Sequence, residues 1–94
     1  MSPSPDSICS KFADKGVKVT VKRLPHSNKV ILIEGDRLAF EFLGKLFLAH
    51  ARAEDCGCEI SPRGAGSGAG NAFFSKTARL GLYLHRLPCV NGEP

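Results

Sequence analysis

Two cysteines separated by a single glycine, Cys56 and Cys58, are the most conspicuous candidates for chemistry in this chain. Cysteine thiolates bind zinc and other soft metals. The C-x-C spacing is tighter than the C-x-x-C of structural zinc sites, and no second pair lies nearby in the sequence. Other residues that could complete a tetrahedral set are Cys9, Cys89, His50 and His85. We therefore keep a small metal-binding protein at Cys56 and Cys58 as an alternative hypothesis, and we assign no metal ligand and no cofactor.

A glycine-rich stretch, RGAGSGAGN at 63–71, is the second candidate, because backbone N–H groups in such a turn can hold phosphate. It lacks the Lys-Ser/Thr of the P-loop and does not match G-x-G-x-x-G. We therefore predict a flexible loop there. The chain also contains no G-x-S-x-G and no H-E-x-x-H, and no pair of carboxylates sits among apolar neighbours. We expect no catalytic residues and no enzyme activity.

Basic side chains give the chain a net charge of +4. Several of them lie in a predicted hairpin over 17–33, where they would form an exposed strip of Lys18, Lys22, Arg23 and Lys29. Such a strip attracts phosphate, but it has no exposed aromatic side chains on which bases could stack. A nucleic-acid-binding domain that uses the hairpin 17–33 is therefore a further alternative, less favoured than binding to protein.

The stretch that must position these residues is Asp36 to Asp55, DRLAFEFLGKLFLAHARAED, the only long run that can bury a broad apolar face. Its apolar residues recur with the period of a helix, and Asp36 can act as N-cap. Glu41 and Lys45 lie one turn apart as a favourable pair on the polar side. Gly57 is the expected C-cap. The sequence therefore predicts one long amphipathic helix.

The apolar arc of this helix is wider than one sheet face needs. Either loops cover its flanks or a second subunit does, so a homodimer is a candidate. His50 falls inside the arc, where we expect a hydrogen-bonded core histidine. In a rival interpretation Leu38 to Phe42 forms a strand, but the Ala- and Leu-rich run that follows favours the helix. The arc contains Leu38, Ala39, Phe40, Phe42, Leu43, Leu46, Phe47, Ala49, His50, Ala51 and Ala53.

Turn residues and alternating apolar positions define the flanking elements. Ser4, Pro5 and Asp6 predict the start of a short helix over 5–14. At least one of Phe73 and Phe74 is expected to close the end of the core or to continue a strand across from the third one, Cys58 to Ser61. The predicted strands are an alternating one around Val17, Val19 and Val21, a more fully buried one at Val30 to Ile33, a third at Cys58 to Ser61, and a last one alternating from Ala78 to Leu84.

The resulting order, α-β-β-α-β-β, predicts an α+β fold of two layers: a four-stranded, mainly antiparallel sheet with one long helix on one face. Ninety-four residues suit a single domain, 1–94, with flexible tails at 1–3 and 88–94. The N-terminus has no signal-peptide pattern, and no apolar run is long enough to span a membrane. We therefore expect a cytoplasmic protein without a membrane partner, and free thiols at its four cysteines.

Several of these segments together resemble a family of small bacterial α+β proteins, the predicted immunity proteins of polymorphic toxin systems and their uncharacterised relatives. The resemblance covers roughly Val30 to Leu87 and rests on pattern. It implies a protein that binds a protein partner, a toxin, and catalyses no reaction. The segments that carry it are the strand ILIEGD, the helix LAFEFLGKLFLAHARAED, the short strand CEISP, a glycine-containing loop and the last strand ARLGLYLHRL.

The leading hypothesis from the sequence is a non-enzymatic protein-binding module, either immunity-like or homodimerising. The overwide apolar arc of the long helix motivates it, because exposed apolar surface of that extent marks interaction sites. The expected partner is a toxin or a second copy of the chain.

Overall fold

The computed structural model describes residues 4–62 and 73–88, and its elements follow the predicted order α-β-β-α-β-β. The α+β class is therefore confirmed. Within the described ranges, no helix has the length and apolar content to cross a membrane. The predicted loop 63–71 and the tails 1–3 and 88–94 lie outside these residues, except for Pro88. The elements are α1 (Pro5–Phe12), β1 (Thr20–Leu24), β2 (Ser27–Glu34), α2 (Arg37–Ala51), β3 (Gly57–Ile60) and β4 (Leu82–His85).

The four strands pair as two two-stranded antiparallel sheets, β1 with β2 and β3 with β4. The single four-stranded sheet that the sequence predicts is not confirmed. The chain over 73–80 lies along the second edge of β1, where Val19 N donates to Phe73 O at 2.8 Å and Arg79 N donates to Val21 O at 3.0 Å. A turn at 76–77 interrupts this segment, so it contacts β1 without forming a regular ladder.

The aromatic pair Phe73 and Phe74 closes the core, as predicted, with exposures of 2% and 6%. The ring of Phe73 stacks on that of Phe42 at a centroid distance of 4.3 Å. The expectation that they continue a strand across from β3 is wrong, because their backbone lies beside β1. The last strand begins at Leu82 rather than Ala78, since the preceding residues are held against β1.

Helix α1 starts as its sequence predicts. Ser4 is the N-cap and its Oγ accepts a hydrogen bond from Ser7 N at 3.1 Å, while Pro5 occupies the first helical position. The helix ends at Phe12, two residues before the predicted end at 14. The chain then turns through Gly16, whose φ of +75° lies in the region that favours glycine.

Helix α2 also starts at its predicted cap, since Asp36 Oδ1 accepts a hydrogen bond from Ala39 N at 2.9 Å. The strand interpretation of Leu38 to Phe42 is wrong, because these residues form the first turns of the helix. Gly57 is not the C-cap. It lies in β3, where a Cβ atom would be 2.5 Å from the Tyr83 hydroxyl, so glycine leaves room for the end of the Tyr83 side chain.

The hairpin of β1 and β2 is buried at one end only. The alternating valines enter the core as predicted. The prediction that Val30 to Ile33 forms a more fully buried strand is wrong. Val30 is 47% exposed and Ile31 46%, and only Ile33 of β2 packs against the core cluster. The far half of the hairpin therefore extends beyond the residues that cover its base.

Candidate functional site

One side of α2 is both apolar and exposed. Phe40 is 50% exposed, Phe47 43% and Leu48 62%. Together with Gly44 and Ala51, which are also exposed, they recur at the spacing of one helical face. We call this surface the α2 outer face and define it as Phe40, Gly44, Phe47, Leu48 and Ala51.

The opposite side of the same helix is the core. His50 is only 7% exposed, which confirms that it is buried, but its ring makes no hydrogen bond with the described residues, so the expected hydrogen-bonded state is not found. The sequence allowed loops or a second subunit to cover the flanks of the arc, and no loop in the described part of the chain buries the α2 outer face. The inner residues of α2 are Ala39, Phe42, Leu43, Leu46, Ala49 and His50.

Two members of the α2 outer face, Gly44 and Leu48, were not among the arc residues that the sequence singled out. Their signal is the four-residue spacing from Phe40, which places all three along one line of the helix. A Cβ atom at Gly44 would meet nothing within 4 Å. The middle of the face is therefore open, and another backbone can approach it closely.

Charged residues border the α2 outer face along one rim. Arg37, Glu41 and Lys45 are exposed and lie next to the line of Leu48 on the helix surface. The rim carries both signs of charge, so it can pair with a surface that presents the same charges in the opposite order.

A separate cleft of about 760 Å³ lies where the start of α1 meets the end of α2 and β3. Its walls bring together groups that are distant in sequence: Asp6 and Cys9 from α1, His50 from α2, and Cys58 from β3. Both ring nitrogens of His50 are buried, and neither has a hydrogen-bond partner among the residues that the structure describes. The cleft is thus lined by titratable side chains from three elements.

The pKa values of both thiols in the cleft are raised above the ordinary value. Burial raises the pKa of Cys9, and the negative charges of Cys58 and Asp6 raise it further. Burial also raises the pKa of Cys58, with Asp6 adding to the effect. Asp6 thus contributes to the raised pKa of both cysteines, after the larger effect of burial.

Of the predicted pair Cys56 and Cys58, only Cys58 lines the cleft. Cys56 precedes β3, and its carbonyl accepts a hydrogen bond from Arg86 N at 2.8 Å. Across 4–62 and 73–88, no three Cys, His, Asp or Glu side chains are gathered closely enough to hold a metal ion. The sequence named Cys9 only among four residues that could join Cys56 and Cys58, whereas the structure places Cys9 in the same cleft as Cys58.

The cations of the hairpin do not form one strip. Lys22 and Arg23 are consecutive residues of β1, so their side chains point to opposite faces of the hairpin. Their strand partners are Leu32 and Ile31 respectively. The nucleic-acid interface at 17–33 therefore remains a prediction, and the phosphate candidate at 63–71 lies outside the described residues.

Comparison with protein-family models, with curated proteins and with solved structures finds no match to this chain. The functional argument therefore rests on the surfaces of the molecule itself, the α2 outer face first among them.

Proposed function

We propose that this chain is a non-enzymatic protein-binding module whose binding surface is the α2 outer face, and that this face binds a second copy of the chain. The observation that carries the proposal is the exposure of Phe40, Phe47 and Leu48 around the open position Gly44. Large apolar side chains that cluster on one face, rimmed by charges, are typical of interaction sites.

The size of the face sets the strength of the expected dimer. Two half-exposed phenylalanines and one leucine present on the order of 300 Å² of apolar surface. A standard stable interface buries about 800 Å² per partner. We therefore expect a weak dimer whose population depends on protein concentration, unless further surface is buried beside α2.

The open position at Gly44 supports packing of helix against helix. A small residue at a helix crossing lets two backbones approach closely, so that flanking side chains interdigitate. In an antiparallel pair centred there, Phe40 of each copy lies opposite Leu48 of the other, because each is four residues from Gly44. The face is therefore complementary to itself in shape.

The rim charges support a second copy over an unrelated partner. Under a two-fold axis the same rim of both copies meets, with the chains in opposite directions. Lys45 of one copy then lies at the level of residue 43 of the other, about 3 Å along the axis from Glu41. Two symmetric Glu41 to Lys45 pairs would form, each worth a few tenths of a kcal/mol and useful mainly for orientation.

The proposal is tested by sedimentation equilibrium at several protein concentrations, using a matched pair of variants. Leu48→Glu places a charge in the α2 outer face, whereas Leu87→Glu changes a leucine that is 74% exposed elsewhere. We expect the wild type and Leu87→Glu to shift from monomer to dimer together, and Leu48→Glu to remain monomeric with an unchanged circular dichroism spectrum.

A wild-type chain that stays monomeric at every concentration would refute the second copy as partner. Equal association of all three proteins would place the interface elsewhere. The immunity-like alternative makes a different prediction: the monomer would bind a toxin through this face, and Leu48→Glu would abolish that binding without affecting the mass of the free chain.

A further inference from the structure

The cleft between α1, the end of α2 and β3 is acidic, although the chain as a whole carries a net charge of +4. Among the described residues, its lining includes the four carboxylates of Asp6, Glu54, Asp55 and Glu59 against one cation, Arg52. The whole chain has 9 acidic and 13 basic side chains. Acidic side chains are therefore concentrated at this cleft.

Arg86 adds a positive charge beside the cleft without reversing its sign. Its Nη1 donates to the carbonyl oxygen of His50 at 2.7 Å and to that of Asp55 at 3.4 Å. These hydrogen bonds tie the turn after α2 to the end of β4. With Arg86 counted, the four carboxylates still exceed the two guanidinium groups, and an excess of negative charge in a concave site attracts cations.

His50 supplies a buried polar group to the wall of the cleft. It is 7% exposed, and its two ring nitrogens have no hydrogen-bond partner among the described residues. A buried polar group without a partner costs free energy, so a ligand that pairs with it is favoured. One nitrogen of a neutral imidazole accepts a hydrogen bond, and an ammonium group can donate it.

The rest of the lining is partly apolar. Ile60 is 3% exposed, and Pro5 and Ala53 are partly buried. Apolar walls favour methylene groups, whereas a hydrated metal ion gains nothing from them. Within 4–62 and 73–88, no three metal-ligating side chains are gathered closely enough to hold a metal ion. A ligand that suits both parts of the lining has ammonium groups joined by methylene chains.

We propose that this cleft binds an aliphatic polyamine, whose ammonium groups pair with the carboxylates and with His50 while its methylene groups pack on the apolar wall. The volume of about 760 Å³ lies within the range of small-molecule sites, roughly 300–1,000 Å³. This inference is independent of the proposed dimer, because none of the five residues of the α2 outer face lines the cleft.

The experiment titrates spermidine into the isotope-labelled full chain and follows the backbone amides and the His50 ring by NMR. We expect saturable shifts confined to residues 4–9 and 50–60, together with a change in the signals of the His50 ring. Asp6→Asn should weaken binding about tenfold, because one charge-assisted contact is lost. Asp14→Asn removes the same charge from an exposed residue just beyond α1, so it is the matched control and should bind as the wild type does.

A second variant tests the buried ring. His50→Phe retains an aromatic ring but removes both nitrogens, and we expect weaker spermidine binding with an unchanged circular dichroism spectrum. If this variant does not fold, the comparison of Asp6→Asn with Asp14→Asn still decides the question.

Magnesium ions and a short peptide with one lysine serve as competing cations. We expect neither to change the His50 ring signals as spermidine does. Shifts that grow without saturation, equal weakening by Asp6→Asn and Asp14→Asn, or full affinity in a folded His50→Phe chain would overturn the proposal. Binding of magnesium or of the lysine peptide as tight as that of spermidine would also overturn it.

Discussion

The two sides of α2 are almost equally apolar in sequence but differ completely in their surroundings. Phe42, on the inner side, is 0% exposed and its ring contacts those of Phe12 and Phe73 at centroid distances of 5.5 and 4.3 Å. Phe47, on the outer side, is 43% exposed. Helical periodicity thus assigns the apolar residues to faces of the helix. Whether a face becomes core depends on which other elements are available to cover it.

The largest expected difference between the two sides is in stability. Phe42→Ala should lower the free energy of unfolding by about 3–5 kcal/mol, since it removes a fully buried ring and leaves a cavity. Phe47→Ala should cost less than about 1 kcal/mol in the monomer. Urea unfolding at low protein concentration measures both. Equal losses would mean that the outer side is buried within the monomer.

The cap of α2 supports both sides of the helix. Asp36→Ala removes the acceptor for Ala39 N, and we expect a loss of about 1 kcal/mol in the same urea experiment. Asp36→Asn should retain most of the stability, because its side-chain oxygen can accept the same hydrogen bond. If Asp36→Asn were as unstable as Asp36→Ala, the carboxylate charge and not the hydrogen bond would be the stabilising feature.

A methyl group added at Gly44, the centre of the outer side, should raise the stability of the monomer and weaken the dimer. Gly44→Ala should stabilise the monomer by about 0.5–1 kcal/mol, because glycine is a poor helix former and the added methyl meets nothing within 4 Å. The same methyl should weaken dimerisation, measured by sedimentation, since it separates the two backbones. Stronger dimerisation of Gly44→Ala would argue against close packing at this position.

The smallest expected effect is the pH dependence of stability that arises from Cys9 and Cys58, the two thiols in the cleft. The pKa values of Cys9 and Cys58 are raised in the folded state, so the folded chain retains these protons more firmly than the unfolded one. Their contribution to stability is complete below the ordinary value of 9.0 and is lost as the pH rises through the folded values. Urea unfolding at pH values above 9.0 should show that the free energy of unfolding declines as the pH rises. The double change Cys9→Ser and Cys58→Ser should make this decline smaller.

The sequence predicts local features of this fold well and long-range ones poorly. The start of α2 at Asp36 and the burial of His50 follow from capping and period, which depend on neighbouring residues. The separate pairing of β1 with β2 and of β3 with β4 depends on how the chain over 73–80 packs against β1. The placement of Cys9 and Cys58 in one cleft has the same long-range origin, so spacing along the chain indicated Cys56 instead.

Cross-linking at position 44 tests the central proposal most directly. With the four native cysteines replaced by serine, Gly44→Cys puts one thiol at the centre of the α2 outer face, where the added Cβ meets nothing within 4 Å. Ile31→Cys in the same background is the control, since Ile31 is 46% exposed on β2. We predict that mild oxidation converts Gly44→Cys into a covalent dimer much faster than Ile31→Cys. Equal rates for the two proteins, or a Gly44→Cys chain that remains monomeric, would contradict the antiparallel pairing of α2 with α2.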